Sequence, residues 1–201
     1  MTEQELRPDQ KHEVQPPGEP AKAVQGPTVN DEVQEAYRKL EKARSILHTA
    51  GNIEVGQTPH EVLAETRAYR LVHYQQMVNK TAKTPILVVY ALINRSYVLD
   101  LQHDKSWVKS LLSQGFDVYL LDWKSPTAVD KFVSFDDYVN CYIDDCVNLV
   151  VKKAKVDKLT LHGYCMGATM STMYTTLHQE KVRNLAVIAP VVDTEKDTTV
   201  I

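Results

Sequence analysis

A cysteine stands between two glycines in Gly163-Tyr164-Cys165-Met166-Gly167. The apolar run "KLTLHG" leads into it and a helical pattern leads out. Gly-x-nucleophile-x-Gly at a strand-to-helix turn is the arrangement of a nucleophile elbow. Such a turn forces strained backbone angles on its central residue, and a Cβ at either flanking position would collide with a neighbouring element. It would lift the Cys165 sulfur above the carboxyl ends of a parallel sheet, where open α/β sheets bind ligands. It would place the thiol at a helix start, whose partial positive charge favours a thiolate. It would also aim the backbone N–H of Met166 at the spot where an oxyanion forms during acyl transfer. The bland alternative is a small buried cysteine in an ordinary turn.

The other two cysteines read differently. Cys141 and Cys146 lie five apart in a strongly helical stretch and so do not share a face. Cys146 falls on the apolar stripe and is expected in the core. No second ligand pair stands at zinc spacing, so no metal site is expected. Three cysteines without a CxxC argue against a disulfide framework and for a reducing, cytoplasmic setting.

An elbow needs a sheet beneath it. "EVLAET" and "YRLVHYQ" are rich in β-formers and close enough to pair as a hairpin. "PILVVY" (85–90) and "DVYLLDW" (117–123) are apolar without alternation, as strands buried on both faces are. A helix is expected over 104–113, with Trp107, Val108, Leu111 and Leu112 inward. Another spans 134–151, with Ser134 and Asp137 as its capping box. Its apolar face runs Phe135, Tyr138, Val139, Tyr142, Ile143, Cys146, Val147, Val150. After the elbow, a helix over 166–178 carries Met166, Met170, Met173, Tyr174 and Leu177 as its apolar face, with small residues thinning its first turns. "NLAVIAPVV" (184–192) closes the series as a strand. Strands alternating with helices predict a parallel sheet covered on both faces.

Ahead of this domain, residues 1–30 are Gln-, Glu- and Pro-rich and read as a disordered tail. Residues 31–50 read as a lone amphipathic helix, either packed on the domain that follows or docking a partner. Residues 51–201 form the sheet-bearing domain. The net charge of −3, with acids and bases interspersed, excludes a polybasic surface for nucleic acid or anionic lipid. The polar, acidic N-terminus is not that of a signal peptide, and no window approaches a transmembrane segment.

Three longer stretches carry a resemblance: "ILVVYALINRSYVLDLQHDKSWVKSLLSQGFDVYLLDW", "DDYVNCYIDDCV" and "HGYCMGATMS". In order and in register over about residues 50–192, they resemble the catalytic subunit of polyhydroxyalkanoate synthases, and most of all its two-subunit, archaeal-like class. The resemblance implies an α/β-hydrolase-like, mostly parallel sheet, here truncated after the strand that follows the nucleophile helix. It implies an acyltransferase that polymerises (R)-3-hydroxyacyl-CoA through a cysteine thioester, with release of coenzyme A and no cofactor. Carried over by position, Cys165 is the nucleophile, Met166 supplies one oxyanion N–H, and Ile93, in the loop "YALINRSY", supplies the other. Gly163 and Gly167 are the elbow glycines. The family box ends in Gly-Gly, whereas this one ends Gly167-Ala168, which adds a methyl group at the helix start. The resemblance also implies a second synthase subunit or self-association, and a polyester granule surface as the working location.

The partners of the nucleophile are harder to find. In this fold the acid and then the histidine follow the nucleophile in chain order. His178 is the only histidine after Cys165, over ten residues along the helix and so about 18 Å from its start. His162 precedes the elbow on the strand and is expected to point into or across the sheet. His103 lies in a loop, and Asp193 follows the last strand as a solvated carboxylate or a stand-in acid. No triad base or acid is recognisable. This chain alone is therefore expected to be inactive or very slow at polymerisation. A cysteine hydrolase of small esters and a non-catalytic, granule-associated or partner-binding remnant remain as alternatives. The apolar last strand, if it forms the sheet edge, is expected to make the chain prone to aggregation unless something covers it.

Overall fold

The structure, a computed structural model, describes residues 29–50 and 54–191. The chain divides after Asn52 into two units. In the first, helix α1 spans Val29–Ala50, starting two residues before the expected boundary. The rest of the expected disordered tail lies outside the described residues.

The second unit contains two strands, β1 (His60–Glu65) and β2 (Tyr69–Tyr74), followed by β3 (Ile86–Val89). A small hairpin, β4 (Asp100–Gln102) and β5 (Lys105–Ser106), leads into α2 (Trp107–Ser113). Then come β6 (Val118–Trp123), α3 (Asp144–Ala154), β7 (Leu159–Tyr164), α4 (Met166–Leu177) and β8 (Val182–Ile188). The main sheet has the order β1-β2-β6-β3-β7-β8. β1 and β2 form the expected antiparallel hairpin, β2 meets β6 antiparallel, and β6, β3, β7 and β8 run parallel.

That order places the site. From β3 the chain passes through α2 to β6 on one side. It then crosses through α3 to β7 on the other. The strand order therefore reverses at β3, and a crevice opens outside the carboxyl ends of β3 and β7. All of β3 and nearly all of β6 are buried, as their unbroken apolar runs require. One face of the sheet packs Leu87, Val89, Leu121 and Leu161 against Ile143, Cys146, Val147, Val150, Met170 and Tyr174 of the α3 and α4 side. The opposite face packs Val72, Val88, Tyr90 and Leu120 against Val108 and Leu112 of α2.

Four expectations are corrected. α2 begins at Trp107, three residues late, because Asp100–Ser106 forms the hairpin and the Ser106 hydroxyl caps the helix by accepting from the Lys109 N–H at 3.0 Å. The long helix is not uniformly α: Asp137–Ile143 is a π-helical segment that runs into α3. Its capping box is present, with Asp137 accepting from both the N–H and hydroxyl of Ser134 at 2.7 Å, so the short aspartate arm suffices. Phe135, expected inward, is exposed. On α4 the face toward the sheet is Gly167, Ala168, Met170, Ser171 and Tyr174, while Met173 and Leu177 are exposed. Close approach to the sheet selects small residues at the start of the helix, and Met173 and Leu177 line a shallow surface groove with Phe135 and Val139.

β8 is two residues early at its start and ends at Ile188, where Ala189 turns to a φ of +52° before Pro190. Only Val182 of this strand is buried, and Leu185, Val187 and Ile188 are exposed. Asp193 lies outside the described residues. An apolar strand at the edge of the described sheet offers both its backbone and its faces to another chain. The 201-residue chain is expected to self-associate with rising concentration in light scattering, and Leu185→Lys should reduce this. A wild-type chain that stays monodisperse at high concentration would remove the argument.

Candidate active site at the end of β7

β7 delivers the chain to the crevice, and α4 starts within one residue of it. The residue between them is Cys165, with φ 54° and ψ −125°. A non-glycine residue held there carries strain of about 1–3 kcal/mol, which persists only when its surroundings over-determine it. They do here. The Cys165 N–H donates to the Ile188 carbonyl at 2.9 Å, and its own carbonyl accepts from Ala168 at 2.8 Å and Thr169 at 3.3 Å.

The flanking glycines are required by contact. A Cβ on Gly167 would overlap the carbonyl oxygens of Val89 and Tyr90 at the end of β3. A Cβ on Gly163 would overlap Ala168 and the carbonyl of Gly167 at the start of α4. Strand β7, helix α4 and the end of β3 thus meet at backbone-to-backbone distance. Ala168, where the resembling family has glycine, is fully buried, so its methyl group is enclosed at the helix start.

The thiol of Cys165 is exposed. Among the described residues, the N–H groups of Met166 and Gly167 have no backbone acceptor, as expected of the first turn of a helix. The loop that follows β3 starts level with the elbow, because Val89 pairs with Gly163 in register. Ile93 lies in that loop, two residues past Ala91, with an exposed side chain.

Two aromatic residues that the sequence reading passed over frame the thiol. Tyr90 stacks on Tyr164 with ring centroids 5.3 Å apart. Burial raises the pKa of the Tyr90 phenol, and the nearby Tyr164 and Cys165 raise it further. Trp123, on the neighbouring strand, donates its indole N–H to the Tyr90 carbonyl at 3.0 Å. The available signal was positional: Tyr90 ends the first buried run, and the strand register puts it beside Tyr164.

None of the candidate bases reaches this point by a hydrogen bond. His162 is buried and stacks on Trp107 at 4.8 Å, and among the described residues its Nε2 has no partner. Burial pushes its pKa down, with a backbone bond at Ala186 partly offsetting this. His178 sits at the far end of α4, stacked on Tyr174 and bonded to Asn140 at 3.1 Å. His103 is exposed in the turn between β4 and β5. Among the described residues, no histidine or carboxylate hydrogen-bonds Cys165.

A family model described as alpha/beta hydrolase fold matches residues 84–200. The chain belongs to the α/β-hydrolase fold family. The chain is also similar to polyhydroxyalkanoate synthases: a second model, the poly-beta-hydroxybutyrate polymerase (PhaC) N-terminus, matches residues 29–111. It is 46% identical over 159 residues to the poly(3-hydroxyalkanoate) polymerase subunit PhaC of Haloferax mediterranei, covering 79% of this chain and 32% of that protein. It is 42% identical to the subunit of the same name from Haloarcula marismortui, over 79% of this chain and 35% of the relative. For that of Synechocystis sp. the identity is 39%, over 75% of this chain and 40% of the relative. The chain thus spans between about a third and two fifths of the length of these relatives. Among the described residues, no helix is long and apolar enough to cross a membrane.

Two outcomes follow from the geometry. Iodoacetamide at neutral pH should label Cys165 first and Cys146, which is buried, last. Cys141 should fall between them, because desolvation and then Asp137 and Asp136 push its thiol up. Peptide mass mapping over time checks the order, and Cys141 labelling ahead of Cys165 would count against an accessible elbow thiol. Gly167→Ala should cost about 3 kcal/mol or more in urea unfolding, since a backbone carbonyl must move. Ala168→Gly should cost less, about 1–2 kcal/mol, from the helix-propensity difference and the loss of one buried methyl group.

Proposed function

We propose that Cys165 is an acyl-accepting nucleophile and that this chain carries the nucleophile portion of a poly(3-hydroxyalkanoate) synthase acting on (R)-3-hydroxyacyl-CoA. The observation that supports this best is the strained, exposed cysteine at a backbone-to-backbone junction, in a chain similar to PhaC polymerase subunits. In the first half-reaction the Cys165 sulfur, having given up its proton, bonds to the acyl carbon of the thioester. The carbonyl oxygen carries negative charge in the tetrahedral intermediate, and the N–H of Met166 faces it, with a backbone N–H of the loop around Ile93 as the second donor. The carbon–sulfur bond to coenzyme A then breaks, and the departing thiolate takes up the proton. One thioester is exchanged for another, so the step is close to isoenergetic.

In the second half-reaction the 3-hydroxyl of another unit attacks the Cys165 thioester, forming an ester and releasing the cysteine. A hydroxyl is a poor nucleophile without a base, whose assistance is worth roughly 10²–10⁴-fold. That base is not among the described residues around Cys165, so the acyl-enzyme is expected to accumulate in this chain. The same reading brings a polyester chain as product, a second subunit or self-association as partner, and a cytoplasmic granule surface as location. The name "subunit" carried by the relatives supports a partner.

Incubation with (R)-3-hydroxybutyryl-CoA should release one equivalent of coenzyme A thiol and leave a matching mass increment on the peptide bearing Cys165. Cys165→Ala should abolish both. Thiol release that continues steadily with no adduct would point to a hydrolase, and neither release nor adduct would refute the nucleophile.

A further inference from the structure

Outside the elbow, a cleft of about 500 Å³ opens between β2, the carboxyl end of β6 and the loop after β3. Its walls bring three cations together: Arg70, Arg95 and Lys124. Two carboxylates answer them. Asp122 pairs with Arg70 at 2.7 Å and also accepts from the Ser96 hydroxyl, and Glu65 pairs with Lys124 at 2.6 Å. The third cation is left over. Arg95 donates from Nη2 to the Ser125 hydroxyl at 2.9 Å and meets no carboxylate among the described residues. The cleft therefore holds a net positive charge and a guanidinium fork with donors to spare. A planar fork of this kind matches phosphate oxygens two at a time.

The cleft stands at the same end of the sheet as the thiol. Leu121, Val89 and Gly163 are level across β6, β3 and β7. Lys124 and Ser125 therefore lie at the height of Cys165 or just above it, two strand spacings or about 10 Å to the side. The wall between cleft and thiol is Trp123, bonded to the Tyr90 carbonyl, and Tyr90 stacked on Tyr164. A thioester that delivers its acyl carbon to Cys165 must leave its carrier somewhere along this edge. The geometry points to the Arg95 cleft as the site that binds the phosphates at the nucleotide end of coenzyme A, with the pantetheine arm crossing the Trp123–Tyr90 wall to the elbow. This rests on the acyl-CoA reading of Cys165 and adds the position of the carrier.

The test is a set of calorimetric titrations of the 201-residue chain with coenzyme A, 3′-dephospho-coenzyme A and pantetheine. Coenzyme A should bind at least about tenfold more tightly than pantetheine, the scale of one charge-assisted hydrogen bond. Arg95→Gln should weaken coenzyme A by about tenfold and remove most of that preference, and Arg95→Lys should retain part of it. If dephospho-coenzyme A behaves as coenzyme A does, the diphosphate is the group held; if it behaves as pantetheine does, the 3′-phosphate is. Equal binding of coenzyme A by wild type and Arg95→Gln, equal binding of coenzyme A and pantetheine, or no binding at all overturns the site.

Acylation of Cys165 by an N-acetylcysteamine thioester, which carries no phosphate, is read separately. Acylation without an Arg95 effect on coenzyme A removes the phosphate site and leaves the nucleophile. An Arg95-dependent coenzyme A site with no acylation by either thioester does the reverse.

Discussion

The backbone of α4 rests directly on the end of β3, and that contact shapes everything near the thiol. The Val89 and Tyr90 carbonyls occupy the space a Cβ on Gly167 would fill, and Ala168 occupies the space of one on Gly163. With helix and strands so close, the single residue between β7 and α4 has no relaxed conformation available. Cys165 takes the left-handed φ, and its N–H and carbonyl are both tied down, one to β8 and one to the helix it begins. Packing elsewhere in the domain supplies the stability that offsets this local strain.

The same closeness explains the composition of α4. A helix pressed onto a sheet must face it with small side chains, which is why Gly167, Ala168 and Ser171 are buried and Met173 and Leu177 are not. The larger contacts come from Met170 and Tyr174. The latter donates its hydroxyl to Asp144 at the start of α3, beside Lys181, which binds the same carboxylate. Helix, crossover helix and the approach to β8 are thereby joined on one face, leaving the opposite face to α2.

The Trp123–Tyr90 wall separates two chemically different neighbourhoods along one edge of the sheet. On one side is a soft sulfur at a helix start among tyrosines. On the other is a polar cleft where cations outnumber carboxylates. Between them runs the Trp123 to Tyr90 hydrogen bond and the Tyr90–Tyr164 stack. A substrate with an acyl thioester at one end and phosphates at the other has matching chemistry for both, and the strand spacing sets the distance it must cross.

Much of this was legible in the residues, because the signals were local. Unbroken apolar runs at 85–90 and 117–123 mark strands buried on both faces, and two glycines around Cys165 mark a turn too tight for side chains. Ser134 and Asp137 mark a helix start by reciprocal hydrogen bonds across three residues. The features that escaped are those that depend on what lies across space. The π-helical segment Asp137–Ile143 and the outward Phe135 left no mark in the spacing, and the small inward face at the start of α4 follows from how closely that helix approaches the sheet, whereas periodicity carries no distance. Tyr90 beside Tyr164, and Arg95 beside Ser125 and Lys124, are separated by tens of residues along the chain. They meet because β3 lies between β6 and β7, an order set by crossover connections and the burial of both sheet faces.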